Sequence, residues 1–495
     1  MIFNRYITVN ADNRTRQRPD DYFGDWKERE ALAEAMIPLV GKLYRSSVKT
    51  YIFGQNLVNL SVLEIMQAHR TVREVQENEL SEFEIYPVIE ALSSLNLGIA
   101  HVDAGRIAAL YEEGPKHQGV SVADFVKNQV ADLIDDTTPP PEPRDVVLYG
   151  FGRIGRLMAR LLIEKTGGGD NMRLRAIVVR KGGAENDLVK RASLLRRDSV
   201  HGPFKGTIRV DEEHNSFVAN GNEIKVIYAG QPEDIDYTEY GINNAIIIDN
   251  TGIFKGEEGL ARHLRPGASK VLLTAPGSDV PNIVYGINND TIKLSDNIIS
   301  AASCTTNAIA PPLKAMHDKF GITSGHIETV HAYTNDQNLI DNYHKADRRG
   351  RSAPLNMVLT STGAAKAVAK VLPVMKGRLT GNAIRVPTPN VSMGILKLVL
   401  EKDTTVDEVN DYMRHVALHS PLRKQIDFSN SPEVVSSDFV GSRHACIFDS
   451  VATIVNGNQV VLYCWYDNEF GYSCQVHRVL EQMAGVDYRV YPKED

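Results

Sequence analysis

Cysteine is scarce in this chain, with four thiols in 495 residues, at Cys304, Cys446, Cys464 and Cys474. They form no CxxC pair and stand at no metal-ligand spacing with histidine. That excludes a disulfide scaffold and a structural zinc site, and no metal-binding residue is assigned. So few thiols in so long a chain fit a reducing cytoplasm. No apolar run reaches the roughly 18 residues that a membrane span needs. The opening Met1-Ile2-Phe3-Asn4-Arg5 lacks the apolar core of an export signal. A cytoplasmic location is expected, with no membrane partner. A basic surplus is missing too: 62 acidic residues outnumber 55 basic ones, for a net charge of -7. Nucleic acid bound by counterion release is therefore not expected as a partner. An anionic substrate must be held by locally placed cations.

What is present is ordinary for a folded chain. Hydrophobic residues make up 42% and charged residues 24%, which excludes wholesale disorder, and the length suits roughly three domains. The clearest break is Asp135-Asp136-Thr137-Thr138-Pro139-Pro140-Pro141-Glu142-Pro143, where proline removes backbone donors and fixes φ. Residues 136–144 read as a stiff linker.

Before it, residues 1–135 read as an all-α extension. Leu32, Met36, Ile37, Val40, Leu43 and Tyr44 recur at helical spacing, and Ile52 to Met66 and Ile85 to Leu97 carry further apolar periodicity. Ser121 to Asp124 resembles a capping box, and Gly114 suits a helix end. No titratable constellation stands in this segment, so it is assigned to assembly or regulation. Deleting 1–140 is expected to leave turnover largely intact.

After the linker, short apolar runs alternate with helical patterns: Val146 to Tyr149, Leu174 to Val179, Ala245 to Asp249 and Lys270 to Thr274. This is the signature of a doubly wound α/β sheet. From about residue 320 the strands lengthen and become amphipathic (Gly325 to Tyr333, Ala383 to Val386, Ser392 to Glu401, Gln459 to Trp465), suggesting a second α+β domain on a largely antiparallel sheet.

Gly150-Phe151-Gly152-Arg153-Ile154-Gly155 follows the first strand and opens a helix. Gly150 permits the tight turn, Gly152 lets a pyrophosphate approach the backbone, and Gly155 lets helix and strand pack closely. A ribose-binding acid belongs roughly 20 residues on. Here the second strand ends instead in Val179-Arg180-Lys181. Arg180 and Lys181 suit a 2′-phosphate, so NADP is expected to be tolerated or preferred; the alternative is that both are simply solvated.

Ser300-Ala301-Ala302-Ser303-Cys304-Thr305-Thr306-Asn307 leads small residues into a helix. A thiol at a helix N-terminus is expected to have a lowered pKa. His331, at the end of the strand pattern Glu328 to Thr334, is placed to take its proton. Ser361-Thr362-Gly363-Ala364-Ala365-Lys366 opens another helix in a way that suits a phosphate, and Arg385 stands among apolar neighbours where it could clamp an oxyanion.

From Asp145 onward these blocks closely resemble the phosphorylating glyceraldehyde-3-phosphate dehydrogenase family. The matching stretches are 150–156, 197–202 (RDSVHG), 250–254, 302–307, 361–367, 384–392 and 465–472, in family order and at family spacing. The resemblance implies an NAD(P)-binding Rossmann domain over 145–303 and a catalytic domain over 304–468. It implies that a C-terminal helix over 469–495 packs back on the Rossmann domain. It implies Cys304 as nucleophile and His331 as general base. Ser303, Thr305, Thr334, Thr362, Gly363 and Arg385 fall on phosphate-binding positions. Phe151, Arg153, Ile154, Thr251, Thr274, Asn468 and Tyr472 fall on cofactor positions. The loop 335–360 resembles a subunit-contact loop, so a homotetramer is implied.

The implied reaction converts a phosphorylated aldehyde and inorganic phosphate to an acyl phosphate through a thioester. Departures at Arg180-Lys181, Asn342-Tyr343 and Gly230 weaken strict NAD use, and reliance on NADPH would favour the reductive direction. The alternatives are an erythrose-4-phosphate dehydrogenase, which the intact 361–367 block argues against, and a non-catalytic scaffold, which the full catalytic set argues against.

Overall fold

The computed structural model describes residues 18–76, 80–139, 142–165, 171–293, 295–360, 362–486 and 488–493, with the backbone alone over 70–76. They form two compact units. One joins the residues up to 139 with 488–493, and the other runs from 142 to 486.

The smaller unit is rich in helices for reasons visible in the sequence. Tyr22–Arg45 starts where Asp21 accepts the Gly24 amide, and it buries Leu32, Met36, Val40 and Leu43 on one face. Ser81 and Glu84 box the start of Glu82–Ser94. Gly114 ends Ala104–Glu113, and Ser121 caps Val122–Gln129. The unit also holds a small sheet that an all-helical reading leaves out. Its order is Gln55–Asn56, Val48–Ile52, Ala100–Asp103 and Val490–Tyr491, the last three mutually parallel neighbours. The apolar spacing after Ile52 combines a strand end, a hairpin turn through Gly54 (φ 84°) and a helix from Val62, so one helical period averages over two elements.

The fourth strand comes from the far end of the chain. Residues 488–493 therefore do not continue the C-terminal helix onto the Rossmann sheet, as the 469–495 boundary implied. The Arg489 carbonyl accepts the His101 amide at 2.8 Å, and Tyr488 stacks on His101 with 4.1 Å between centroids. Tyr491 is fully buried in the core of the small unit, and its hydroxyl donates to Asp132 at 2.7 Å. Tyr491→Ala is expected to destabilise this unit by about 3–5 kcal/mol, the usual cost of an aromatic core truncation. Urea unfolding and proteolysis of the 18–139 segment measure it. A midpoint unchanged from wild type would show that the tail strand is dispensable.

The larger unit is built on two eight-stranded sheets. The first runs Ile298–Ser300, Ala268–Leu273, Ala245–Asp249, Arg144–Tyr149, Met172–Val179, Asn222–Tyr228, Ser216–Ala219 and Ile208–Asp211. Its first six strands are parallel, and the last two add an antiparallel edge. Arg144–Tyr149 lies between Met172–Val179, which follows it in the chain, and Ala245–Asp249, to which the chain returns on the other side after Asn222–Tyr228, so the strand order reverses there. Ligands of such sheets bind in the crevice beyond that point, and the glycine turn sits there. The helix Phe470–Met483 packs Tyr472, Val476, Val479, Leu480 and Met483 into the core over this sheet.

In the second sheet the central strand Ile322–Ala332 pairs parallel with Leu379–Val386 and antiparallel with Ser392–Leu400. Ser392–Leu400 in turn pairs antiparallel with Gln459–Tyr466. The register sets His331 opposite Arg385.

Candidate active site

The site begins with a strained turn. Ala302 has φ 56°, a left-handed conformation that costs a residue with a Cβ roughly 1–3 kcal/mol. Three bonds hold it. The Asn307 side-chain Nδ2 donates to Ala301 O (2.9 Å) and Ser303 O (3.0 Å), and the Tyr472 hydroxyl donates to Ala302 O (2.8 Å). The chain then enters the helix Cys304–Phe320, whose N-cap Ser303 accepts the Thr306 amide at 3.1 Å. Cys304 is the first residue of that helix.

His331, at the end of the central strand, brings Nε2 to 3.6 Å from Cys304 Sγ. Its Nδ1 lies 2.7 Å from Ala332 O; in the tautomer that carries its proton on Nδ1, the Nε2 lone pair faces the thiol. Arg385 Nη1 donates to the same carbonyl at 2.9 Å and lies 2.7 Å from Nδ1. The Tyr466 ring meets His331 edge-on at 6.0 Å, and its hydroxyl lies 3.2 Å from Thr305 Oγ1.

The electrostatics correct one expectation. Burial pushes the Cys304 thiol up, and this outweighs the Arg385 charge and the bonds from the first helical turn that pull it down. Burial, aided by Arg385, holds His331 down at about 3. The pair therefore rests as a neutral thiol and a neutral imidazole, and helix position alone does not make Cys304 a thiolate.

A cationic cluster adjoins the pair. Arg385 Nε is buried and has no hydrogen-bond partner among the described residues. Thr334 donates to Asp336, and Asp336 receives Arg349. Arg349 Nη2 also donates to Thr360 Oγ1 at 3.0 Å. Sequence reasoning missed Asp336, Arg349 and Tyr466. The first two lie in the loop read only as subunit contact, and Tyr466 follows strand alternation like any core tyrosine. Thr362 and Gly363 open the helix Ala364–Val371, with Thr362 Oγ1 accepting the Ala364 amide; Ser361 lies outside the described residues.

On the dinucleotide side, Gly150 has φ 93°, and a Cβ at Gly155 would meet Gly150 O at 2.4 Å. A Cβ at Gly152 would meet nothing within 4 Å, so the helix N-terminus opens onto free space that a pyrophosphate fits. Phe151 is buried and Ile154 packs beside the same core. Thr251 and Thr274 spend their hydroxyls on Asp249 Oδ1 (2.7 Å) and Asp249 O (3.0 Å), bracing the neighbouring strand ends. Arg153 turns to Asp198 and Glu469. Asn468 Oδ1 accepts the Ser392 hydroxyl at 2.8 Å, which leaves its NH2 as the group with donors to give. Arg180 and Lys181 are exposed beyond the second strand, with Lys181 5.9 Å over the Tyr228 ring. The nearby acid Asp187 is taken by Arg191 at 2.6 Å and by Tyr228.

Comparison with known proteins places these features in a family. The model described as glyceraldehyde 3-phosphate dehydrogenase, NAD binding domain, matches residues 144–257. The one described as its C-terminal domain matches 303–468. The chain is 63% identical over 465 residues to a glyceraldehyde-3-phosphate dehydrogenase-like protein of Pseudomonas aeruginosa (strain UCBPP-PA14), covering 92% of this chain and 100% of that one. It is 42% identical over 351 residues to the glyceraldehyde-3-phosphate dehydrogenase of Clostridium pasteurianum, covering 69% of this chain and 98% of that one. It is 43% identical over 342 residues to glyceraldehyde-3-phosphate dehydrogenase 2 of Nostoc sp. (strain PCC 7120), covering 68% and 98%. The N-terminal extension is thus shared with the Pseudomonas relative, while the other two match over about two thirds of this chain.

Proposed function

Because the chain belongs to the glyceraldehyde-3-phosphate dehydrogenase family, we propose that it oxidises glyceraldehyde 3-phosphate with inorganic phosphate and NAD(P)+ to 1,3-bisphosphoglycerate and NAD(P)H, reversibly. The observation that carries this reading is the 3.6 Å approach of Cys304 Sγ and His331 Nε2 beside Arg385.

Cys304 attacks the aldehyde carbon while His331 Nε2 takes the thiol proton and returns it to the former carbonyl oxygen, giving a neutral thiohemiacetal and a free imidazole. Pairing the two events avoids a free thiolate, which desolvation at Cys304 makes costly. The NAD(P)+ bound at the glycine turn supplies the hydride acceptor. His331 removes the hydroxyl proton as the C–H bond breaks, and a thioester remains on Cys304. Inorganic phosphate then attacks the thioester carbon, and the Cys304 sulfur leaves as His331 returns its proton, which yields the acyl phosphate and restores the neutral pair. Arg385 and Arg349 are the cations suited to the two phosphate groups, with Thr305, Thr362 and the Gly363 amide as neutral donors; Thr334 joins them on giving up the bond its hydroxyl makes to Asp336.

The exposed Arg180-Lys181 stretch, together with the engagement of Asp187 by Arg191, supports use of NADP. Arg180→Ala combined with Lys181→Ala is expected to raise KM for NADP about tenfold, near the worth of one charged contact, and KM for NAD by less than half as much. Equal effects on both cofactors would overturn a 2′-phosphate role.

A homotetramer is proposed on the family likeness. It is supported by the loop 335–360, which exposes Leu339 by 75%, Tyr343 by 91% and Leu355 by 81%. Sedimentation tests it. The N-terminal unit is assigned to assembly or regulation. Because the tail strand belongs with that unit, a clean removal takes 488–495 along with 1–140.

A further inference from the structure

The RDSVHG block at 197–202 carries the family likeness but received no role in the chemistry above. Its side chains converge with two other stretches on one carboxylate. Glu469 Oε1 accepts Arg153 Nε at 2.9 Å, and Oε2 accepts Arg153 Nη2. Oε2 also lies 3.1 Å from His201 Nε2. Arg153 Nη1 donates to Asp198 at 2.6 Å, and Asp198 Oδ1 in turn accepts the amides of Val200 and His201, both at 2.9 Å. Behind them Asp467 Oδ1 accepts the amides of Glu469 and Phe470 at 2.9 and 2.8 Å, and its Oδ2 lies 3.9 Å from His201 Nδ1. Although burial opposes ionisation of Glu469, His201 and Arg153 hold its carboxyl below the usual range. The knot is a charged, ordered cluster.

Its position gives it a use. Arg153 is the first residue of the helix that follows the glycine turn. Glu469 follows Asn468, whose Oδ1 is fixed by Ser392, and the Ser392 hydroxyl accepts the Ala332 amide beside His331 at 3.1 Å. One carboxylate thus links the helix that follows the glycine turn to Asn468, the residue that the family resemblance sets at the nicotinamide end. Both belong to the larger unit.

We propose that Glu469, held by Arg153 and His201, is a positioning residue. It sets the span between the glycine turn and Asn468, and through that span the placement of the nicotinamide ring against Cys304. This rests on the dehydrogenase reading above. A hydride must travel a short, fixed path, so a displacement of the order of 1 Å is costly to the rate without removing any reacting group. The ADP-ribose portion of the cofactor is held by the turn itself and should be indifferent to the span.

The test compares NAD(P)H with ADP-ribose as binding probes on full-length wild type, Glu469→Gln and His201→Asn, by calorimetry. In wild type the intact cofactor binds more tightly than ADP-ribose. In Glu469→Gln the ADP-ribose affinity stays within about threefold, which also certifies a folded cleft. The added affinity for the intact cofactor falls about tenfold, equivalent to one charged hydrogen bond. His201→Asn moves the same way by less. The primary deuterium isotope effect on aldehyde oxidation rises in Glu469→Gln while KM for the aldehyde holds. Parallel loss of both probes, or loss of neither, overturns the positioning role. Failure of wild type to bind either probe overturns the dehydrogenase reading itself.

Discussion

Cys304→Ser is expected to lower kcat by about 10⁴-fold or more while leaving cofactor binding and the unfolding midpoint near wild type. The oxygen replaces sulfur at the first position of the helix with no large change of shape, so Ser303, Asn307 and Tyr472 still hold the turn. What is lost is the nucleophile. A serine hydroxyl is far harder to deprotonate than a thiol, and an oxygen ester is a poorer acyl donor to phosphate than a thioester. The variant is assayed as aldehyde oxidation with phosphate, monitored by cofactor reduction. Residual activity within tenfold of wild type would remove Cys304 from the mechanism. Because burial pushes the thiol up, alkylation of wild-type Cys304 in the absence of cofactor should accelerate only in the alkaline range, above where a free cysteine titrates. Rapid alkylation near neutrality would contradict a neutral resting pair.

The second large effect is that of His331→Asn, and it has two faces. Loss of the proton acceptor is expected to lower kcat by about 10²–10⁴-fold. The same substitution should also alter stability toward acid. His331 is held at about 3 in the folded protein by burial and by Arg385, against about 6.5 in an unfolded chain. Between those values the unfolded chain takes up a proton that the folded protein refuses, so unfolding gains ground as pH falls. The contribution is fully present above about 6.5 and drains away toward 3, at no more than about 1.4 kcal/mol per pH unit. Asparagine does not titrate, so the variant should lose less stability than wild type between pH 7.5 and pH 5. Urea midpoints at the two pH values measure this. An identical pH dependence in both proteins would show that His331 is not the buried neutral imidazole described here.

The parts of this protein legible in its sequence are those where one local signal maps onto one physical requirement. The glycine turn could be read because Gly150 and Gly155 stand where a positive φ and a close approach admit no side chain. The strands Ser392–Leu400 and Gln459–Tyr466 could be read because their alternation is long and uninterrupted. Cys304 and His331 were legible only as members of a set, since a thiol before a helix and a histidine ending a strand are each commonplace alone.

The rest needed distance. That His331 faces Arg385 depends on the parallel register of two strands far apart in sequence. Asp336 and Arg349 meet across a loop without periodicity. The tail strand was hidden because Val490–Tyr491 is two residues long and finds its partner in Ala100–Asp103, far earlier in the chain. The neutral state of the thiol could not be read either. The helix N-terminus argues one way in sequence, and burial, which only packing reveals, argues the other and prevails.

In the proposed reaction Cys304 carries the acyl group between oxidation and phosphate transfer. The most direct measurement is mass spectrometry of the full-length protein mixed with glyceraldehyde 3-phosphate and NAD(P)+ in the absence of phosphate, then quenched in acid and digested. One phosphoglyceroyl adduct per subunit is expected on the peptide bearing Cys304, with a stoichiometric burst of reduced cofactor and discharge of the adduct when phosphate is added. Steady turnover with no adduct on that peptide, or an adduct that phosphate does not discharge, would contradict it.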